Sequence, residues 1–155
     1  MKGHRWTIRK LFRVEMAHVL AKADSRGCVS TIHGHSYRIE LFFTSANLNS
    51  DGMVLDFGLV KRKLTNYLKG WDHALVIPDE DVRADAQLCH GGNRFSSLER
   101  HHLITGNVRV KQVPYNPTAE EMARDIYQCV KMQFGELSKV RIHETDTGYA
   151  EYEEV

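Results

Sequence analysis

The sequence predicts an α+β fold with its elements in the order ββααββ, and three observations carry the prediction. Two long stretches near the start alternate apolar with polar residues, two later stretches repeat apolar residues at helical spacing, and an alternating pair follows around Asp146-Thr147-Gly148.

The first stretch runs from Trp6 to His18, with Trp6, Ile8, Phe12, Val14 and Met16 on one parity and Thr7, Arg9, Arg13 and Glu15 on the other. That is the pattern of a long, half-buried strand. Residues Ala21 to Cys28 carry Asp, Ser, Arg and Gly and read as a loop. Alternation resumes at His33, and His35, Tyr37, Ile39, Leu41 and Phe43 continue the same face of a second strand. After the turn residues Asn47 to Gly52, Asp56 stands where a helix N-cap belongs, ahead of Phe57, Val60, Leu64, Tyr67 and Leu68. The stretch from Pro78 to Pro114 reads as a long loop insertion, with a turn cluster at Cys89-His90-Gly91-Gly92-Asn93 and a short hairpin near Asn107 to Val113. Thr118 and Glu121 have the spacing of a capping box, and Met122, Ala123, Ile126, Val130 and Phe134 then line one face of a second helix that Gly135 stops. Val140, Ile142 and Glu144 share a face of a third strand, and Tyr149 to Val155 form the fourth. With neither an internal repeat nor a linker, residues 1–155 are expected to make a single domain.

Composition narrows the function classes. Apolar residues make up 42% and charged residues 26% of the 155, which suits a packed core rather than disorder. A formal charge of +1 gives no general attraction to nucleic acid or to acidic membranes, so neither is expected as a partner. The longest wholly apolar run, Ala74 to Ile77, is far short of the ~20 residues that cross a bilayer. Met1 to Phe12 lacks the apolar stretch of a secretory signal, and the expected location is the cytoplasm. Cys28, Cys89 and Cys129 are odd in number and widely spaced, as free thiols would be.

His33-Gly34-His35 is the sharpest local signal. Two residues apart on a strand means one face, with Cα atoms roughly 7 Å apart, so both imidazoles reach toward one ion. Such a pair alone packs or hydrogen-bonds about as often as it ligates. His18 has the apolar parity of the first strand, and an antiparallel pairing of strands one and two would bring it beside the pair as a third nitrogen. Three neutral imidazoles with an open fourth position describe a catalytic rather than a structural zinc site. Cys28 lies in the loop leading to that site, where a dication would favour its thiolate, although a solitary cysteine is more often a small buried residue. Asp72 and His73 follow the first helix: the carboxylate can orient the imidazole for proton transfer, but on pattern alone a turn is the better account of Asp72. Glu144 has the apolar parity of its strand, which sends a carboxylate inward to meet adjacent N–H donors such as those of a guanine-like or pterin-like heterocycle, or else leaves it at a wet strand end. Lys61-Arg62-Lys63 reads as a solvated helix face.

Together Phe12 through Ala17-His18, Cys28 ahead of His33-Gly34-His35, Gly52 through Asp56-Phe57, Asp72-His73, Asn116-Pro117-Thr118-Ala119-Glu120 and Glu144-Thr145 resemble the 6-pyruvoyl-tetrahydropterin synthase family, within it the bacterial 6-carboxy-tetrahydropterin synthases of queuosine and deazaguanine biosynthesis. The resemblance implies a tunnelling fold, a four-stranded antiparallel sheet with two helices inserted between strands two and three. It implies a homohexamer, a dimer of trimers, with active sites between subunits. It implies zinc held by His18, His33 and His35, Cys28 as general base, Asp72 and His73 as proton relay, Glu144 as the pterin anchor, and Thr118 and Glu120 lining the pterin pocket. The implied reaction converts 7,8-dihydroneopterin triphosphate to 6-carboxy-5,6,7,8-tetrahydropterin, acetaldehyde and triphosphate. The rival readings are a 6-pyruvoyl synthase acting on the same substrate and a non-catalytic pterin- or purine-binding module with structural zinc. Four residues separate Cys28 from His33, between the shorter bacterial and the longer animal spacing, and the stretch from His73 to Asn116 is longer than in compact bacterial members.

Overall fold

Strands β1 (Trp6–His18) and β2 (His33–Ser45) pair antiparallel along their full length, from Trp6↔Ser45 to His18↔His33. This agrees with the alternation, because the register places both apolar parities on one face. The computed structural model describes residues 4–24, 28, 31–79 and 109–155. The remaining elements are α1 (Phe57–Lys69), β3 (Ala74–Pro78), β4 (Arg109–Val113), α2 (Ala119–Lys131), β5 (Leu137–His143) and β6 (Tyr149–Tyr152). They form one six-stranded sheet in the order β4-β3-β1-β2-β5-β6.

The expected four-stranded antiparallel sheet and the order ββααββ are therefore corrected. Strands β1, β2, β5 and β6 do pair antiparallel, but β3 and β4 extend the sheet beyond β1, both in parallel pairing. The helices do not stand together between the second and third strands: α1 precedes β3 and α2 follows β4, giving ββαββαββ among the described residues. The reason β3 escapes a period-two reading is that all five of its residues are buried, and a strand covered on both faces reads as an unbroken apolar run. Residues Arg109 to Val113, expected in a hairpin, instead join β3 as a parallel strand. The turn cluster at Cys89 lies outside the described residues.

Both helices begin as the sequence dictates. Asp56 caps α1 by accepting from the Leu59 N–H at 2.6 Å, and Thr118 caps α2 by accepting from the Glu121 N–H at 3.4 Å. The reciprocal half of the box is not made, since Glu121 turns to Arg124. Helix α2 stops at Lys131, short of Gly135, while Phe134 beyond it still packs into the core. Val60, Leu64 and Leu68 of α1 and Met122, Ala123, Ile126 and Val130 of α2 bury against Val14, Met16, Tyr37, Ile39, Leu41, Phe43, Val140 and Ile142 of the sheet. Each large apolar side chain so buried contributes about 1.5–3 kcal/mol. Lys61, Arg62 and Lys63 are exposed, as expected. No helix among the described residues is long and apolar enough to cross a membrane.

Candidate metal centre

The β1–β2 register builds the site. His18 stands directly opposite His33, Met16 opposite His35, and the three imidazoles therefore meet at one end of the helix-covered face. Ring centroids lie 4.5 Å apart for His18 and His33, 5.5 Å for His18 and His35, and 5.3 Å for His33 and His35. One ligand atom from each falls within 4.8 Å of the others, so the three could hold a single metal ion. Gly34 lets β2 approach β1 here, because a Cβ at that position would lie 3.1 Å from the Met16 carbonyl oxygen.

Hydrogen bonding around the rings tests that fit. The Nδ1 of buried His18 is 2.8 Å from the Pro117 carbonyl oxygen, and the Nδ1 of His33 is 3.2 Å from that of Thr31. A carbonyl only accepts, so both Nδ1 atoms carry a proton, and Nε2 is the atom that each ring can offer to a metal. Those two Nε2 atoms face each other at 3.0 Å. Two lone pairs at that distance repel unless a cation stands between them. Burial pushes His18 below the ordinary imidazole pKa, with the neighbouring imidazoles adding to the effect and Pro117 and Glu144 opposing it, which favours the neutral ring that a metal needs. The donor set thus suits a divalent ion that takes neutral nitrogen, such as zinc.

Glu144 lies one residue past β5: its side chain is 34% exposed, and Oε1 stands 3.4 Å from His18 Nε2 and 3.7 Å from His35 Nε2. The Tyr37 hydroxyl donates to Oε1 at 3.2 Å. Burial, and then the Glu144 charge, pushes the Tyr37 pKa well above that of an ordinary phenol, so this hydroxyl stays protonated. Glu144 also lines a cavity of about 330 Å³ together with Leu20, Thr118, Glu120 and Tyr149. Thr118 and Glu120, from the first turn of α2, are thereby brought to the carboxylate.

Asp72 and His73 occupy a different place. Asp72 Oδ1 accepts from the Glu15 N–H at 2.9 Å, and its Oδ2 is 2.9 Å from His73 Nδ1. The turn reading of Asp72 is right, and the side-chain pair forms as well, because His73 adopts φ 57° and folds its ring back. The Glu15 N–H bond, reinforced by His73 and Arg109 against some burial, holds Asp72 below the usual carboxylate pKa. His73 lines a cleft of about 570 Å³ shared with Glu15, His35 and Ser36, on which Glu144 does not border. No hydrogen bond or ion pair among the described residues joins Asp72 or His73 to Glu144, Cys28 or His18. Cys28 is a half-buried free thiol whose carbonyl accepts from Leu20 N–H at 3.2 Å; a thiolate there would add to the rise in the Tyr37 pKa.

Sequence reasoning missed Tyr37 and Asn116. Tyr37 has the parity of His33 and His35 but looks like one more core residue. The Asn116 side chain accepts from Ala21 N–H at 2.7 Å and donates to the Lys22 carbonyl at 2.8 Å, tying the loop after β1 to the segment that presents Pro117 to His18. Its place beside the Pro-Thr cap was the available signal.

Fold and site together define an α+β protein with a histidine cluster suited to a metal and a carboxylate at the edge of a small cavity. The chain belongs to the 6-pyruvoyl tetrahydropterin synthase family, whose sequence model matches residues 7–155. It is 32% identical over 156 residues to a Helicobacter pylori protein named 6-carboxy-5,6,7,8-tetrahydropterin synthase, covering 93% of this chain and 70% of that one. A protein of the same name from Aquifex aeolicus is 30% identical over 172 residues, covering 97% of this chain and 99% of the relative. In fold it is similar to the solved 6-pyruvoyl tetrahydropterin synthase of Caenorhabditis elegans, with a TM-score of 0.65 at 18% identity over 100% of this chain and 99% of that one.

Proposed function

We propose that this chain is a zinc-dependent lyase that converts 7,8-dihydroneopterin triphosphate to 6-carboxy-5,6,7,8-tetrahydropterin with release of acetaldehyde and triphosphate. The observation that carries the reading is the position of Glu144 Oε1, 3.4 Å and 3.7 Å from the Nε2 atoms of His18 and His35. A heterocycle gripped by that carboxylate presents its side chain to the imidazole cluster. The amino and ring N–H groups of a pterin are adjacent donors, and a carboxylate with two acceptor oxygens matches them. The names of the relatives that align along nearly the whole chain support the same reaction.

His18, His33 and His35 would hold zinc, which when bound supplies Lewis-acid polarisation of the substrate side chain. Thr118 and Glu120 line the pocket for the ring. Cys28 accepts a proton from a side-chain carbon as its thiolate, and His73, oriented by Asp72, holds and returns a proton. The assembly is a homohexamer, a dimer of trimers with active sites between subunits, which accommodates a dyad standing apart from Glu144 within one chain. The whole chain acts as one domain in the cytoplasm, and its product feeds queuosine and related deazaguanine synthesis.

The test is to incubate the zinc-loaded protein with the triphosphate and identify every product by mass. Acetaldehyde and the 6-carboxy product are expected. A product that keeps its three-carbon side chain, without acetaldehyde, replaces this reading with a 6-pyruvoyl synthase; pterin binding without turnover replaces it with a binding module.

A further inference from the structure

We infer that Tyr37 is the positioning residue for Glu144: its hydroxyl holds one carboxylate oxygen and so fixes the orientation in which the carboxylate receives the N–H donors of a ligand. The inference rests on the proposed function where it names that ligand as a pterin.

Three observations lead there. The Tyr37 ring is 0% exposed and stands nearly perpendicular to the His18 and His35 rings, with centroids 6.0 Å and 5.4 Å away, so strand β2 fixes where its hydroxyl lies. That oxygen has three polar atoms in reach: Glu144 Oε1 at 3.2 Å, His18 Nε2 at 3.3 Å and His18 Nδ1 at 3.4 Å. Nearly equal distances to the two ring nitrogens put it off the lone-pair axis of both, and Nδ1 already donates to Pro117. The proton therefore goes to Glu144. The carboxylate, by contrast, is a third exposed and sits in a bend, where its backbone N–H donates to the Gly148 carbonyl at 3.1 Å. A side chain so placed explores several rotamers unless something rigid holds it, and pre-setting a binding group removes that ordering cost from the ligand.

Neopterin, which lacks the triphosphate, is the probe, and its fluorescence reports binding to the zinc-loaded parent protein and to the Tyr37→Phe, Glu144→Gln and doubly substituted proteins. Tyr37→Phe keeps the ring, so zinc content and melting temperature are expected to hold while neopterin binds roughly tenfold more weakly, about 1.4 kcal/mol. KM for the triphosphate should rise more than kcat falls, and the double variant should bind no worse than Glu144→Gln alone. Unchanged affinity in Tyr37→Phe, or additive losses in the double variant, overturns the assignment alone. A parent protein that holds zinc but does not bind neopterin overturns the pterin reading together with it. In the unsubstituted protein a slowly exchanging Tyr37 hydroxyl proton should be visible by NMR and should shift on adding neopterin; its absence also overturns the assignment.

Discussion

Two carboxylates, Glu40 in β2 and Glu144 just past β5, lie on opposite faces of the sheet. Glu40, 4% exposed, meets Arg9 through one oxygen and, through the other, Arg141 at 3.2 Å and His143 at 3.0 Å. Burial alone would raise its pKa, but the His143 hydrogen bond and the charges of Arg9, His143 and Arg141 outweigh burial and hold it below the ordinary value. Glu144 has a phenol and imidazoles for company, with no ion pair to Arg or Lys among the described residues, and opens on a cavity. A carboxylate surrounded by cations has its acceptor capacity filled and serves the fold. One that is ordered but undersupplied with donors keeps capacity for a ligand.

The largest effect that could break this contrast comes from the imidazoles beside Glu144. His33→Ala removes one of three nitrogen donors, and metal analysis should find most of the zinc gone and turnover at background. If zinc stays at one ion per chain, the cluster is not the metal site. Cys28→Ala should keep zinc and the fold while turnover falls about 10²–10⁴-fold, the range of a lost general base; full activity would remove the thiol from the mechanism. Glu144→Gln should weaken pterin binding roughly tenfold or more, through loss of charge-assisted hydrogen bonds, and change zinc affinity less.

On the other face the expected result is opposite in kind. Glu40→Gln should cost about 1–3 kcal/mol of stability in denaturant titration and leave zinc content and pterin affinity unchanged. Because the folded pKa of Glu40 lies below its ordinary 4.5, its contribution is complete above that pH and is lost as pH falls through the folded value. The parent protein should therefore lose stability more steeply than Glu40→Gln on acidification below pH 4.5. Parallel curves would mean that the Glu40 cluster adds nothing.

The imidazole cluster was legible because strand parity is a property of sequence: His18, His33 and His35 had to share a face once β1 and β2 paired. Glu144 was legible by the same rule, although the strand ends one residue before it. Parallel pairing was not, since β3 is buried on both faces and carries no alternation, and the mild alternation of β4 suits a hairpin as well as a parallel strand. The Asp72–His73 pair depended on a positive φ at a non-glycine residue, which nothing in the local sequence marks. Tyr37 was hidden because a tyrosine among core positions looks apolar until the partner of its hydroxyl is known.

The His18 ring is oriented by the carbonyl of Pro117, 99 residues further along the chain, and Asn116 fastens that stretch to the loop just behind the histidine. During synthesis the paired hairpin of β1 and β2 leaves the ribosome well before the group that selects its tautomer. At about 5–20 residues per second the 99 residues from His18 to Pro117 take on the order of 5–20 s. Setting the His18 ring in its observed orientation is thus a late event, possible only after Pro117 has closed over the hairpin.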